Sequence, residues 1–180
     1  MERTASRRNL ALLAGRAVAF QAVFLILHFA YDWWPNGLAE IFGGADESVF
    51  QHMKIGYFSW LVLSAGEWAA FKPSPFADFA ASRLLGAVLM PFVFAAAWYV
   101  AAATIGPLPS DPAEILWANL VILSSSLLVL GLQDHVGARP LSPPLRAGIF
   151  ALAAAALFMY VRFTYSPPWV DLFEVPEVMR

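Results

Sequence analysis

The sequence predicts an all-α membrane protein, a polytopic bundle of five spanning helices forming one domain over residues 1–180. Three observations carry that expectation. Hydrophobic side chains fill 60% of the 180 positions and charged ones only 13%, and the mean hydropathy of +0.64 leaves little material for a water-soluble domain. Long apolar stretches recur along the chain and mark spans at about residues 10–34, 47–71, 83–105, 114–133 and 146–165. None alternates with the two-residue period of lipid-facing and lumen-facing positions that a transmembrane barrel requires.

A helix needs roughly 20 mostly apolar residues to cross about 30 Å of hydrocarbon, because its backbone polar groups must be satisfied internally where water is absent. The first, third, fourth and fifth stretches meet that length unaided. The second apolar run starts only at Ile55, but Asp46 suits the cap of a helix beginning at Glu47. Residues 47–71 then span, with two polar interfacial turns at the start.

Basic residues orient the bundle, since short loops carrying them stay cytoplasmic. Arg3, Arg7, Arg8, Arg16, Lys72, Arg83, Arg139 and Arg146 fall on one side, eight of the 11 in the chain, and only Lys54, Arg162 and Arg180 fall opposite. Asp32, Glu40, Asp46, Glu47, Asp111, Glu114, Asp171, Glu174 and Glu177 lie on the side poor in basic residues. The N-terminus is therefore expected in the cytoplasm and the C-terminus outside. Trp33, Trp34, Trp98, Tyr99, Tyr165 and Trp169 mark the outer headgroup level, where amphipathic rings settle. Arg7-Arg8 before an apolar run resembles a twin-arginine export signal, but no small-residue cleavage pattern follows Leu27 and four more spans lie downstream. The pair reads instead as a cytoplasmic anchor.

The inner loops, Lys72 to Ser82 and Gln133 to Leu145, are rich in proline and read as short, stiff turns. The outer loop from Pro35 to Asp46 offers an Asn36-Gly37 turn, an interfacial helical turn over Leu38 to Phe42, and Gly43-Gly44. The alanine runs 95–97, 101–103 and 153–156 suit tight helix packing. Pro91, with Gly86 before it, is the one expected kink, too little for the broken helices of a transporter. The chain has no cysteine, so disulfides, thiolate metal sites and cysteine nucleophiles are excluded.

Polar residues gather at the outer ends of three helices. His28, Tyr31 and Asp32 share a face of the first by their spacing. In the second, Ser48 aligns with His52, and Glu47 with Gln51 and Lys54; Arg162 and Tyr165 arrive on the fifth at the same depth. A single outer pocket of His28, Tyr31, Asp32, Glu47, Ser48, Gln51, His52, Lys54, Arg162 and Tyr165 is the candidate site. At the inner end Arg16, Glu67 and Arg83 lie at matching depths and predict an Arg-Glu-Arg clamp across three helices rather than a proton relay. A relay would need titratable stations between Lys54 and Glu67, where only Tyr57, Ser59 and Ser64 occur.

The block Glu47-Ser48, His52 and Lys54 after a short glycine-containing loop resembles the signature of DUF6512, a family of uncharacterised bacterial multi-pass membrane proteins with a pattern close to N-E-S-x-W-E-H-x-K. The ending Phe163-Thr164-Tyr165-Ser166-Pro167-Pro168 with Leu172-Phe173, and His28 with Tyr31, resemble that family too. Asp46, Phe50 and Gln51 replace its asparagine, tryptophan and glutamate, and Glu174-Val175-Pro176 its aspartate-proline ending. The resemblance implies a bacterial cytoplasmic membrane and no established activity.

Chemically, His28, Asp32, Glu47 and His52 are the ligand types that zinc or non-haem iron takes, but the chain has no H-x-x-x-H or H-E-x-x-H pair, and the third histidine, His135, is on the opposite side. They are weak metal candidates, and no cofactor is expected. Alternatively His52 handles protons with Glu47, Asp32 or Lys54 as partner, or these groups merely join and cap helices. A Ser48-His52-Asp32 triad lacks a glycine elbow. Binding or assembly is the expected role, with an acid-base or metal enzyme, a small transporter, and a subunit of a membrane complex as alternatives. The expected partners are the lipid bilayer and either a second copy or another membrane subunit; nucleic acid is not among them.

Overall fold

The computed structural model describes residues 2–175 except 74 and 107, and side chains from residue 10 onward except those of 101, 102 and 105. The side chains of Arg3, Arg7 and Arg8, and all of Glu177 and Arg180, thus lie outside the described residues. The chain forms α1 (Glu2–His28), α2 (Ala30–Trp33), α3 (Gly37–Phe42), α4 (Val49–Phe71), α5 (Phe76–Ile105), α6 (Asp111–Gly137) and α7 (Pro143–Tyr165), then a single 3-10 turn at Asp171–Phe173. Among the described residues there is no strand.

Among the described residues, four helices are long and apolar enough to cross a membrane: Leu10–His28 of α1, Phe76–Val100 of α5, Asp111–Gly137 and Pro143–Tyr165. Their outward faces carry large apolar side chains such as Leu12, Val18, Phe92, Leu116, Leu128, Leu152 and Phe158, far more exposed apolar surface than a water-soluble domain carries. Helix α4 is less apolar because its environment is protein. Trp60 packs edge-on against Phe20 of α1 and donates to Gln133 Oε1 of α6 at 2.9 Å. Tyr57 donates to the Ala153 carbonyl of α7 at 2.9 Å, and Gly56 faces Phe94 of α5. All four outer helices therefore touch α4, whose polar residues find partners there instead of meeting lipid. Trp60, Tyr57, Phe20, Ile55, Met90, Leu130 and Tyr160 form the fully buried centre.

Several boundaries differ from the sequence reading. The first stretch breaks at Phe29, so Tyr31 and Asp32 sit on the separate turn α2 rather than continuing the face of His28. Helix α4 begins at Val49, not Glu47: Ser48 is its N-cap, its hydroxyl accepting from Gln51 N, while Asp46 instead accepts from Ser48 N in the turn before. A short Ser at the cap satisfies an otherwise orphan amide and leaves Glu47 outside the helix. At the end of the bundle opposite His28, α5 starts at Phe76 and α6 runs on to Gly137. Apolarity tracks the hydrocarbon slab whereas helices continue into the interface, so the expected loops were too long. The interfacial turn over Leu38 to Phe42 is present as α3, capped by Asn36 Oδ1 accepting from Leu38 N and Ala39 N.

Candidate functional site

The ten residues expected in one outer pocket divide between two places. Lys54 turns away from His52. It is fully buried (0% exposed) and donates from Nζ to the Glu40 carbonyl of α3 at 2.6 Å and to Thr164 Oγ1 of α7 at 3.1 Å. One turn of α4 separates it from Phe50, whose ring lies 4.4 Å from that of Phe173 in the C-terminal 3-10 turn. This side of α4 is a structural seam. Gln51 is buried beside it, and Arg162 and Tyr165 are exposed, with the Tyr165 hydroxyl near Gly37. Arg162 forms no ion pair among the described residues. Lys54, Gln51, Arg162 and Tyr165 are therefore not part of a shared pocket with the histidines. Tyr31 is half-buried and Asp32 exposed, both on α2.

On the opposite side of α4, His28, Glu47 and His52 converge. The loop reaches this position because Gly43 passes over the end of α1, where a Cβ would lie 2.6 Å from the Leu27 carbonyl. Glu47, free of helical geometry, drops its carboxylate between two imidazoles. Its oxygens stand 3.7 Å from His28 Nε2 and 3.5 Å from His52 Nε2, and the imidazole centroids are 5.2 Å apart. His52 is fixed from behind, its Nδ1 2.9 Å from the Ser48 carbonyl. A carbonyl only accepts, so Nδ1 carries a hydrogen and the ring turns its Nε2 toward Glu47. Ser48 thus acts here through its backbone and caps through its hydroxyl. Phe24 lies beneath both rings, near-parallel to each.

These three groups form the polar end of a cavity of about 420 Å³ between α1, α4, α5 and α6, the size range of small-molecule sites. Phe24, Phe94, Val121 and Ile122 line its buried wall, and Leu25, Phe29 and Ile115, all at its rim, are more exposed. Val49, Trp98, Ala118, Glu114 and Asn119 complete it. Asn119 is held by Gln21, whose Nε2 donates to its Oδ1 at 2.7 Å across α1 and α6. The cavity was not legible in the sequence, because α6 supplies much of it with residues that read as ordinary span.

At the other end of the bundle the charge cluster forms as expected and is larger. Glu67 accepts from Arg16 Nε at 2.5 Å and Arg83 Nε at 2.7 Å, and Asp134 of α6 adds a contact of 2.6 Å to Arg16 and one of 3.7 Å to Arg83. Two arginines and two carboxylates cancel, joining α1, α4, α5 and α6. A further pair, Arg146 with Asp78 at 3.1 Å, ties α7 to α5.

Comparison with family models, with curated proteins and with solved structures finds no match for this chain.

Proposed function

We propose that the chain is a five-span protein of the bacterial cytoplasmic membrane, N-terminus inside and C-terminus outside, whose outer-end cavity binds a membrane-soluble small molecule with a polar group. One observation carries this reading. A cavity of about 420 Å³ with a mostly apolar lining, to which Glu114 and Asn119 also contribute, carries His28, Glu47 and His52 together in its wall, which is the pattern of a site that holds a hydrocarbon body and orients a polar head. Placement of the cavity outside is supported by the basic residues clustered at the other end, Arg16, Arg83, Lys72 and Arg146 among them. The fifth crossing is supported by the 23 residues of α4 and by its position among the four apolar helices. Resemblance to the DUF6512 pattern at Glu47-Ser48, His52 and Lys54 supports the bacterial setting.

Trp98 lines the cavity and reports on it. A brominated single-chain amphiphile titrated into detergent-solubilised protein should quench its fluorescence saturably, a component that disappears in Trp98→Phe. Ala118→Phe fills the same space and should abolish saturation while leaving the fold intact. Quenching that rises linearly without saturation, or is unchanged in Ala118→Phe, would refute a binding role for this cavity.

A further inference from the structure

We infer that His28, Glu47 and His52 form a binding site for a divalent first-row transition ion of the zinc class, set in the wall of the cavity. The inference rests on the reading of that cavity as a binding site and supplies the chemistry of its polar end.

Two imidazoles and a carboxylate gathered at one point match the donor set of a cation site, and the distances are compatible with one. A charge-assisted imidazole-carboxylate hydrogen bond closes to about 2.7–2.9 Å, but Glu47 stands wider, its Oε1 3.7 Å from His28 Nε2 and its Oε2 3.5 Å from His52 Nε2. Donors around a tetrahedral ion with bonds of about 2.0–2.1 Å lie roughly 3.3–3.4 Å from one another. Both Glu47 separations are nearer that spacing, and one donor atom from each of the three residues falls within 4.8 Å of the others. Modest inward movement of the His28 and His52 rings completes the approach.

The orientation of His52 points the same way. With Nδ1 donating to the Ser48 carbonyl, its Nε2 is the atom that faces a carboxylate oxygen. A backbone carbonyl behind the ring is also the outer-shell partner that metal-ligating histidines ordinarily use. Lys54 is turned away to Glu40 and Thr164, so no ammonium neutralises Glu47, and Asp32 adds negative charge close to His28. Two imidazoles and one carboxylate suit zinc or ferrous iron. Three protein donors leave a tetrahedral ion a fourth position, and all three line the cavity. An oxygen of the molecule bound there can take that position, coupling the ion to the apolar pocket. Asp32, an expected weak ligand, is exposed on α2 and outside the trio.

The test uses full-length protein in detergent with any affinity tag removed, stripped with a chelator and titrated with Zn²⁺ against a competing chromophoric chelator, and with Co²⁺ read by its visible absorption. One equivalent of Zn²⁺ should bind, and Co²⁺ should give the intense d–d bands of a low-coordinate site. His28→Ala, His52→Ala and Glu47→Gln should each weaken Zn²⁺ by at least about 100-fold, beyond the 10–100-fold cost of outer-shell changes, whereas His135→Ala at the opposite end should change nothing. Wild-type protein that takes up no Zn²⁺ in competition, or binding that survives the three substitutions, overturns the site. The wild-type titration decides even where a variant fails to fold. Trp98 quenching repeated on the chelator-stripped protein separates the two readings: saturable quenching without metal uptake removes the ion and keeps the pocket.

Discussion

At the residue scale, single positions decide which way polar groups face. Glu47 reaches the histidines because Ser48, rather than Asp46, takes the cap, a shift of two residues that spacing in the sequence could not reveal. Had α4 begun at Glu47, the carboxylate would have pointed along the helix face toward Gln51 and Lys54. His28 and His52 were legible as a pair of outer histidines, but Lys54 was assigned to the same pocket since a helical wheel cannot tell which neighbour covers which face. Gly86 is a comparable case in the core. A Cβ there would lie 2.5 Å from Trp60 Nε1 and 2.6 Å from Gln133 Oε1, so the missing side chain makes room for the hydrogen bond that links α4 to α6. Gly86→Ala is expected to lower stability by about 1–3 kcal/mol, the usual cost of overpacking, read as an earlier thermal transition in detergent. An unchanged transition would mean that Trp60 and Gln133 move apart freely.

At the element scale, α4 is where the account departs furthest from hydropathy alone. Its charged and amide groups are tolerated because α1, α5, α6 and α7 surround it, and Glu67 is the clearest example. With 11% side-chain exposure against 45% for Asp134, it is the buried hub of the inner clamp. Glu67→Ala strands Arg16 and Arg83 without their shared carboxylate and should cost about 3 kcal/mol, the scale for breaking one partner of a buried pair. Asp134→Ala should cost under about 1 kcal/mol, as for exposed pairs. Equal losses in chemical unfolding would show that the two carboxylates share the load. The Arg16-Glu67-Arg83 trio was legible because depth along each apolar stretch can be counted. Asp134 was missed because proline-rich sequence beyond Gln133 read as loop, although its position just past an apolar span, level with two arginines, was a usable signal.

At the scale of the whole molecule, the all-helical bundle follows from composition and from the length of four apolar runs, quantities a sequence displays directly. The cavity does not, because it lies where α1, α4, α5 and α6 meet, and Glu114, Ala118 and Asn119 gain meaning only in that packing. Whether α4 crosses the bilayer fixes the parity of the chain, and parity fixes whether the two termini lie in the same compartment; the His28-Glu47-His52 end of the cavity lies at the same end of the bundle as the end of α7, since Thr164 and Phe173 pack on the start of α4. Reporter fusions at the N- and C-termini of the full-length protein in a bacterial host test this directly. Five crossings predict a cytoplasmic N-terminus and a C-terminus on the outer side. Two termini reporting the same compartment would mean that α4 does not span, and would contradict the account.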